Sequence, residues 1–292
     1  MPFSKLMLGT VQFGLEYGIA NVSGKPSFER VCDILTAAYE GGVRSLDTAA
    51  AYGNSEEVVG AALGRLGLGD AMTVVSKVPP IPSATDAEAE RFIEQTVVCS
   101  LRRLRLERLP VCLLHREDDL KFLPVLEKLI GKGLIEGAGV SLDSSRFLAQ
   151  AASVRFIQLP ANVLDRRYEA FWPVALQNKT HVFSRSVYLQ GLLLMPEERI
   201  RPNLSEVVPV RRKLEAVARD AGLAWAELCM RYVLSNPAIT SVLTGVDTAE
   251  QMRENLRLAA QGPLPEEVLR RVRECVPVLP ESLVRPALWN AR

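Results

Sequence analysis

Asp47 and Tyr52 stand five residues apart, where an apolar run over residues 43–47 gives way to a loop and then a helical pattern. Lys77 ends a second apolar run and His115 a third. An acid, a phenol, an amine and an imidazole at such places make a set for moving protons. A phenol alone titrates near pH 10, about three units too high for an efficient donor at neutrality. A lysine ammonium beside it favours the phenolate, and a carboxylate paired with that lysine keeps it charged and fixed. An imidazole adds a hydrogen-bond donor for a carbonyl oxygen, or a proton relay. The set suits protonation of an alkoxide as it forms on a reduced carbonyl, or the reverse with an alcohol. No side chain supplies the electrons, so hydride chemistry implies a cofactor, most simply a nicotinamide.

Each residue has a plainer use when taken singly. Asp47 can cap a helix or close a turn, Tyr52 can be a loop aromatic, and Lys77 can be a surface lysine before Pro79-Pro80. His181, the only other histidine, begins a strand pattern and reads as structural.

The elements that must position these groups are eight short strand patterns, at residues 5–10, 43–47, 72–77, 111–115, 137–141, 156–159, 182–186 and 240–244. Helical patterns separate them. Val31, Ile34, Leu35, Ala38 and Tyr39 recur at the spacing of one helical face. Ser27 can cap that helix and Gly41-Gly42 stops it. Asn54 with Glu57 reads as an approximate capping box for the next helix. Strands alternating with helices imply either a closed barrel or an open doubly wound sheet. The first loop, Gly9-Thr-Val-Gln-Phe-Gly14, lacks the G-x-G-x-x-G of the open sheet. The count of eight favours an α/β fold of the (β/α)8 TIM barrel type, with its active site at the C-terminal ends of the strands. Asp47, Lys77, His115, Ser141 and Gln158 would then share one mouth. No repeat or linker interrupts the pattern, so one domain over residues 1–292 is expected, with 276–292 as a C-terminal tail.

Composition agrees with an enzyme. Hydrophobic residues at 48% and charged residues at 24% of 292 are ordinary for a globular chain. The net charge of +1 shows no basic surplus of the kind nucleic-acid binding needs. The arginine-rich run at 101–108 reads as a solvated helix face. No apolar run approaches the ~20 residues that span a membrane, and Met-Pro-Phe-Ser-Lys lacks the pattern of a signal peptide. Five scattered cysteines without a C-x-x-C pair read as buried thiols. A cytoplasmic protein is expected, with neither nucleic acid nor membrane as partner and no metal. Oligomeric state is not legible.

The chain resembles the aldo-keto reductases over almost its entire length. The resemblance rests on Leu8-Gly-Thr10, on Gly42-Val-Arg-Ser-Leu-Asp47-Thr-Ala-Ala-Ala-Tyr52-Gly53 and on the Lys77 strand end. Ser100-Leu-Arg-Arg-Leu leading to Leu113-Leu-His115, Gly139-Val-Ser141, Gln158, Gln190-Gly-Leu-Leu193 and Gly245 with Gln251 and Glu254-Asn255 extend it. It implies NAD(P)(H)-dependent hydride transfer on a small carbonyl or alcohol substrate, with Tyr52 as general acid/base, Lys77 and Asp47 lowering its pKa and His115 orienting the carbonyl. It places Thr10 among the cofactor residues. Ser141 and Gln158 match residues that hold the nicotinamide carboxamide, and Arg185 falls where an aromatic ring usually meets the nicotinamide face. Ser186, Gln190 and Gly191 would follow the pyrophosphate. Gly245, Thr248, Gln251, Glu254 and Asn255 would surround the adenosine.

Four departures stand out. Leu142 replaces a frequent asparagine, Ser186-Val-Tyr188 replaces Ser-Pro-Leu, and the chain starts nearly at the first strand rather than with a hairpin. Asp247 stands where a basic residue often pairs the 2′-phosphate of NADP, so NADP and NAD both remain open. Substrate walls are expected from Gln12, Phe13, Tyr17, the 79–85 loop, Tyr188 and the tail near Trp289. Two other readings compete: a nicotinamide-binding regulatory subunit that reports redox state, and an aldolase-like barrel using Lys77 as a Schiff-base nucleophile.

Overall fold

Eight parallel strands close on themselves in a computed structural model that describes residues 3–19, 21, 24–82 and 85–289. They are β1 (Leu6–Gly9), β2 (Ser45–Asp47), β3 (Thr73–Val78), β4 (Val111–Leu114), β5 (Ala138–Ser141), β6 (Phe156–Pro160), β7 (His181–Arg185) and β8 (Ile239–Gly245). Each pairs with its sequence neighbour, and β8 returns to β1 through Leu6↔Val242 to Gly9↔Gly245. The (β/α)8 barrel expected from the sequence is the fold.

Twelve helices are described: α1 (Val11–Gly14), α2 (Phe28–Glu40), α3 (Ser55–Leu66), α4 (Asp86–Leu104), α5 (Leu123–Gly131), α6 (Leu148–Ala151), α7 (Trp172–Gln177), α8 (Val207–Asp220), α9 (Trp225–Leu234), α10 (Ala249–Ala259), α11 (Glu266–Cys275) and α12 (Glu281–Val284). Helix α2 begins at Ser27, whose hydroxyl accepts from the Arg30 amide, and ends at Gly41 and Gly42, the latter with φ +87°. The capping box expected at Asn54 does not form. Asn54 makes no side-chain cap and instead accepts from Lys25 Nζ. The box forms at Thr85 and Glu88, starting α4. Between β5 and β6 the chain makes one 3-10 turn at Ser145–Phe147 and runs straight on into α6, so residues 145–151 are helical.

Strand alternation decides what reaches the active end. Successive side chains point to opposite faces, and Met7, Val75, Val111, Leu113, Phe156, Phe183 and Leu243 fill the barrel interior. Two residues past Val75, Leu113, Phe156 and Phe183 come Lys77, His115, Gln158 and Arg185. The inward rows thus switch from apolar to polar at the carboxyl ends of the strands. At the other end Phe3 closes the floor against Phe156, Phe183 and His181, with ring centroids 4.9–6.1 Å apart. His181 stacks on Phe156 at 5.0 Å, a structural place as its position in the sequence suggested.

A second core lies beside the barrel. Leu189, Leu192, Leu193 and Met195 from the irregular stretch after β7 pack with Leu214 of α8, Leu228 of α9 and Val272 of α11. Val276, Leu283, Val284 and Trp289 of the C-terminal tail join them, while Val278 is exposed. Trp289 is buried here, its indole donating to the Leu283 carbonyl, and Phe13 is fully buried in the main core. Both are therefore packing residues and not substrate walls. Ser83 and Ala84 of the 79–85 loop lie outside the described residues.

Candidate active site

Lys77 Nζ lies 2.7 Å from each oxygen of Asp47 and 2.9 Å from the Thr48 carbonyl. It also lies 3.3 Å from the Tyr52 hydroxyl. Both ends of the ion pair are buried. The ammonium has three hydrogens, and the carboxylate, the carbonyl and the phenol oxygen take them. Tyr52 therefore accepts from Lys77, which leaves its own O–H free to donate elsewhere. Burial pulls the Lys77 pKa down, but Asp47 and then Tyr52 outweigh it and hold the ammonium above its ordinary value. Such a lysine is a fixed cation and a poor nucleophile, which weighs against the Schiff-base reading.

His115 meets the Tyr52 ring edge-on at 5.5 Å, and its Nδ1 is shielded without a partner. Burial, followed by the charges of Lys77 and Arg185, lowers its pKa from 6.5 to about 3. The folded protein thus carries a neutral imidazole near neutrality, able to donate one hydrogen bond. The unfolded chain takes up a proton on this residue below about pH 6.5 while the folded one does not until about pH 3. Stability is therefore expected to fall as pH drops through that window. His115→Gln should show a shallower fall in urea midpoint between about pH 6.5 and 4.5. An unchanged slope in the variant would refute a buried neutral imidazole.

A cleft of about 630 Å³ opens beside Tyr52, with Asp47, Gln158 and Arg185 in its wall, and runs to the start of α10. Of the residues expected at a cofactor, Thr10, Ser186, Gln190 and Gly191 line it, as do Gly245, Gln251, Glu254 and Asn255. Gln12, Tyr17 and Tyr188, expected as walls, line it too. Ser141 is buried at the end of β5, and Thr248 caps α10 by accepting from the Gln251 amide; neither is a lining residue. Two lining residues have work within the protein. Thr10 Oγ1 donates to the Asp47 carbonyl at 2.9 Å, tying β1 to β2, and Gln158 Nε2 donates to Asp47 Oδ1 at 2.7 Å.

Asp143 and Asn162 at the site are not legible in the motif alone. Asp143 accepts from Arg185 at 2.9 Å and also pairs with Arg285, just after α12. Burial raises the Asp143 carboxyl, but Arg185 and then Arg285 more than offset that and hold it below its usual range. An arginine at an inward strand end needs such a counter-ion, so Arg185 itself was the available signal. Asn162, buried after β6, donates to the Ser186 carbonyl at 3.2 Å. Gln190 donates to the Tyr17 hydroxyl at 2.9 Å, joining the loops after α1 and β7 across the cleft. Ser186, Leu189 and Gln190 hold φ of 64°, 48° and 54°, a costly conformation for side-chain-bearing residues that clusters at ligand sites.

The cleft fits an extended ligand rich in hydroxyl and amide groups. Gln12 Oε1, Thr244 Oγ1 and Asp247 Oδ1 line it, shielded from water and without partners in the protein. Buried polar atoms are normally paired, and these three are left unpaired in the cleft wall. Gly9, Gly191 and Gly245 also line it, and the Gln12 side chain packs where a Cβ on Gly245 would stand.

A model of the aldo/keto reductase family matches residues 5–277. The chain belongs to that family. Among its relatives, the oxidoreductase YqkF of Bacillus subtilis (strain 168) is 27% identical, the alignment covering 91% of this chain and 94% of the relative. The NADH-specific methylglyoxal reductase of Escherichia coli (strain K12) is 25% identical, over 84% and 89%. The holo form of an aldo-keto reductase from Bacillus halodurans superimposes with a TM-score of 0.78 at 21% identity, over 96% of this chain and 94% of that one. That likeness bears on the fold alone. An aldo/keto reductase barrel and an oxidoreductase family are thus in hand.

Proposed function

We propose that this aldo/keto reductase reduces a small polar carbonyl compound with a nicotinamide cofactor, Tyr52 giving the proton. The observation that carries the reading is the buried Asp47–Lys77–Tyr52 relay opening onto the 630 Å³ cleft. A nicotinamide cofactor bound along that cleft, beside Gln158, Arg185, Ser186 and Gln190, would supply the hydride. The chain's own residues do the rest. The substrate oxygen sits against the free O–H of Tyr52 and an N–H of His115, both donors aimed at charge that grows as the carbonyl is reduced. Tyr52 passes its proton to that oxygen. Lys77 steadies the phenolate left behind, and Asp47 keeps the lysine charged and in place. Gln158 and Arg185 form the remaining polar wall, Arg185 oriented by Asp143 and the Leu142 carbonyl.

The E. coli relative's activity on methylglyoxal favours short, polar carbonyls over bulky ones, and Gln12, Tyr17 and Tyr188 suit such substrates. The purified protein should oxidise NADH or NADPH in the presence of methylglyoxal or short aldoses, followed by the loss of dihydronicotinamide absorbance. Tight cofactor binding with no turnover on any carbonyl, and very slow cofactor release, would replace this reading with the regulatory one.

A further inference from the structure

We propose that the cleft takes NAD(H) and turns away NADP(H), because its far end presents carboxylates and no free cation where a 2′-phosphate would have to lie. This rests on the dinucleotide reading of the cleft given above. The end remote from Tyr52 is formed by the loop after β8 and the first turns of α10. Its titratable lining residues are Asp247, Glu250 and Glu254, all acids. Among the described residues, the single basic side chain in the lining is Arg185, at the opposite end and engaged by Asp143.

The arginines nearby face Glu250 and Glu254 from outside the lining. Arg257 makes two bonds to Glu254, at 2.7 and 2.8 Å. Arg253 lies 3.6 Å from Glu250, with both side chains largely in solvent, and Arg30 reaches Glu250 only through space. Neither Arg253 nor Arg257 lines the cleft.

Asp247 has the more telling position. Its amide donates to Gln251 Oε1 at 2.7 Å, which closes the turn and fixes the residue. Its Oδ1 is shielded from water and accepts from nothing in the protein. Burial alone raises its pKa, with no cation acting against that. Asp247 lines the cleft, and its carboxylate can accept from a ribose 2′- or 3′-hydroxyl. A 2′-phosphate offers acceptors and charge of the same sign. In doubly wound dinucleotide sites an acid reads the ribose diol and a basic residue takes the 2′-phosphate, and the same pairing of charge and hydrogen bonds applies to an acid in this cleft.

The start of α10 is the obvious rival seat for a phosphate, since helix N-termini attract anions. Here the Gln251 amide is already taken by Thr248, Glu250 occupies the first turn and Asp247 stands just before the cap. The helix end already has its negative charge.

Calorimetric titration of the full chain with NADH and with NADPH decides the matter without relying on turnover. NADH should bind at least about tenfold more tightly, and Asp247→Asn should narrow the ratio at least about threefold, chiefly by strengthening NADPH. Equal binding, or tighter NADPH, overturns the proposal and leaves the reductase reading intact. A ratio unchanged in Asp247→Asn, with an unaltered melting curve, also overturns it by removing the carboxylate as its cause. Binding of neither nucleotide would overturn the dinucleotide reading itself.

Discussion

Replacing Tyr52 with phenylalanine is expected to lower kcat by about 10²–10⁴-fold, the span a positioned general acid supplies. Cofactor affinity should stay within about twofold, because the lost group acts only as charge develops on the substrate oxygen. The geometry supports a clean test. The Tyr52 hydroxyl accepts one bond, from Lys77 at 3.3 Å, and Lys77 keeps both Asp47 oxygens and the Thr48 carbonyl without it. No buried charge is stranded by the change. The ring remains 4.8 Å from Lys77 Nζ and edge-on to His115, so the cleft wall keeps its shape. If Tyr52 were only a wall residue, phenylalanine would serve as well. Single-turnover kinetics alongside a cofactor titration separates the two, and retained turnover would end the assignment.

The barrel and its site were unequally legible in the sequence. Short apolar runs separated by helical patterns disclosed the barrel, because a strand buried on both faces reads as an apolar run. Lys77, His115 and Gln158 were legible as polar interruptions at the ends of such runs. The structure adds the reason: each sits two residues beyond an inward hydrophobe, near or just past the carboxyl end of its strand. Asp143 and Arg285 were not legible as a pair, because 142 residues separate them and only the closed fold brings Arg285 to the mouth. The stretch after β7, up to α8, is irregular but for three short 3-10 turns. What the sequence could not show is that Leu189, Leu192 and Leu193 bury against α8, α9 and α11, fixing Gln190 across the cleft. The false capping box at Asn54 has a similar cause. The spacing was right, but Lys25, from a distant loop, claimed the side chain.

Lys77→Met should be the most damaging single change to stability at this end of the barrel. Asp47 would be left buried without its cation, a loss that costs about 3–5 kcal/mol when one partner of a buried pair is removed. Gln158 would still donate to Oδ1, and a neutral amide offsets only part of a missing charge. The pair as a whole is not a source of stability on that scale, since desolvating both ions consumes most of their attraction. The Asp47→Asn, Lys77→Met double variant should therefore be more stable than Lys77→Met alone in urea unfolding, although it lacks one more native group. Turnover should not follow the same order. Both variants lack the ammonium that steadies the phenolate, so both should stay as slow as Tyr52→Phe or slower. A double variant no more stable than the single would show that Asp47 is not held as a charged partner of Lys77. Recovery of turnover along with stability would instead show that the pair serves the fold and that Tyr52 donates its proton without it.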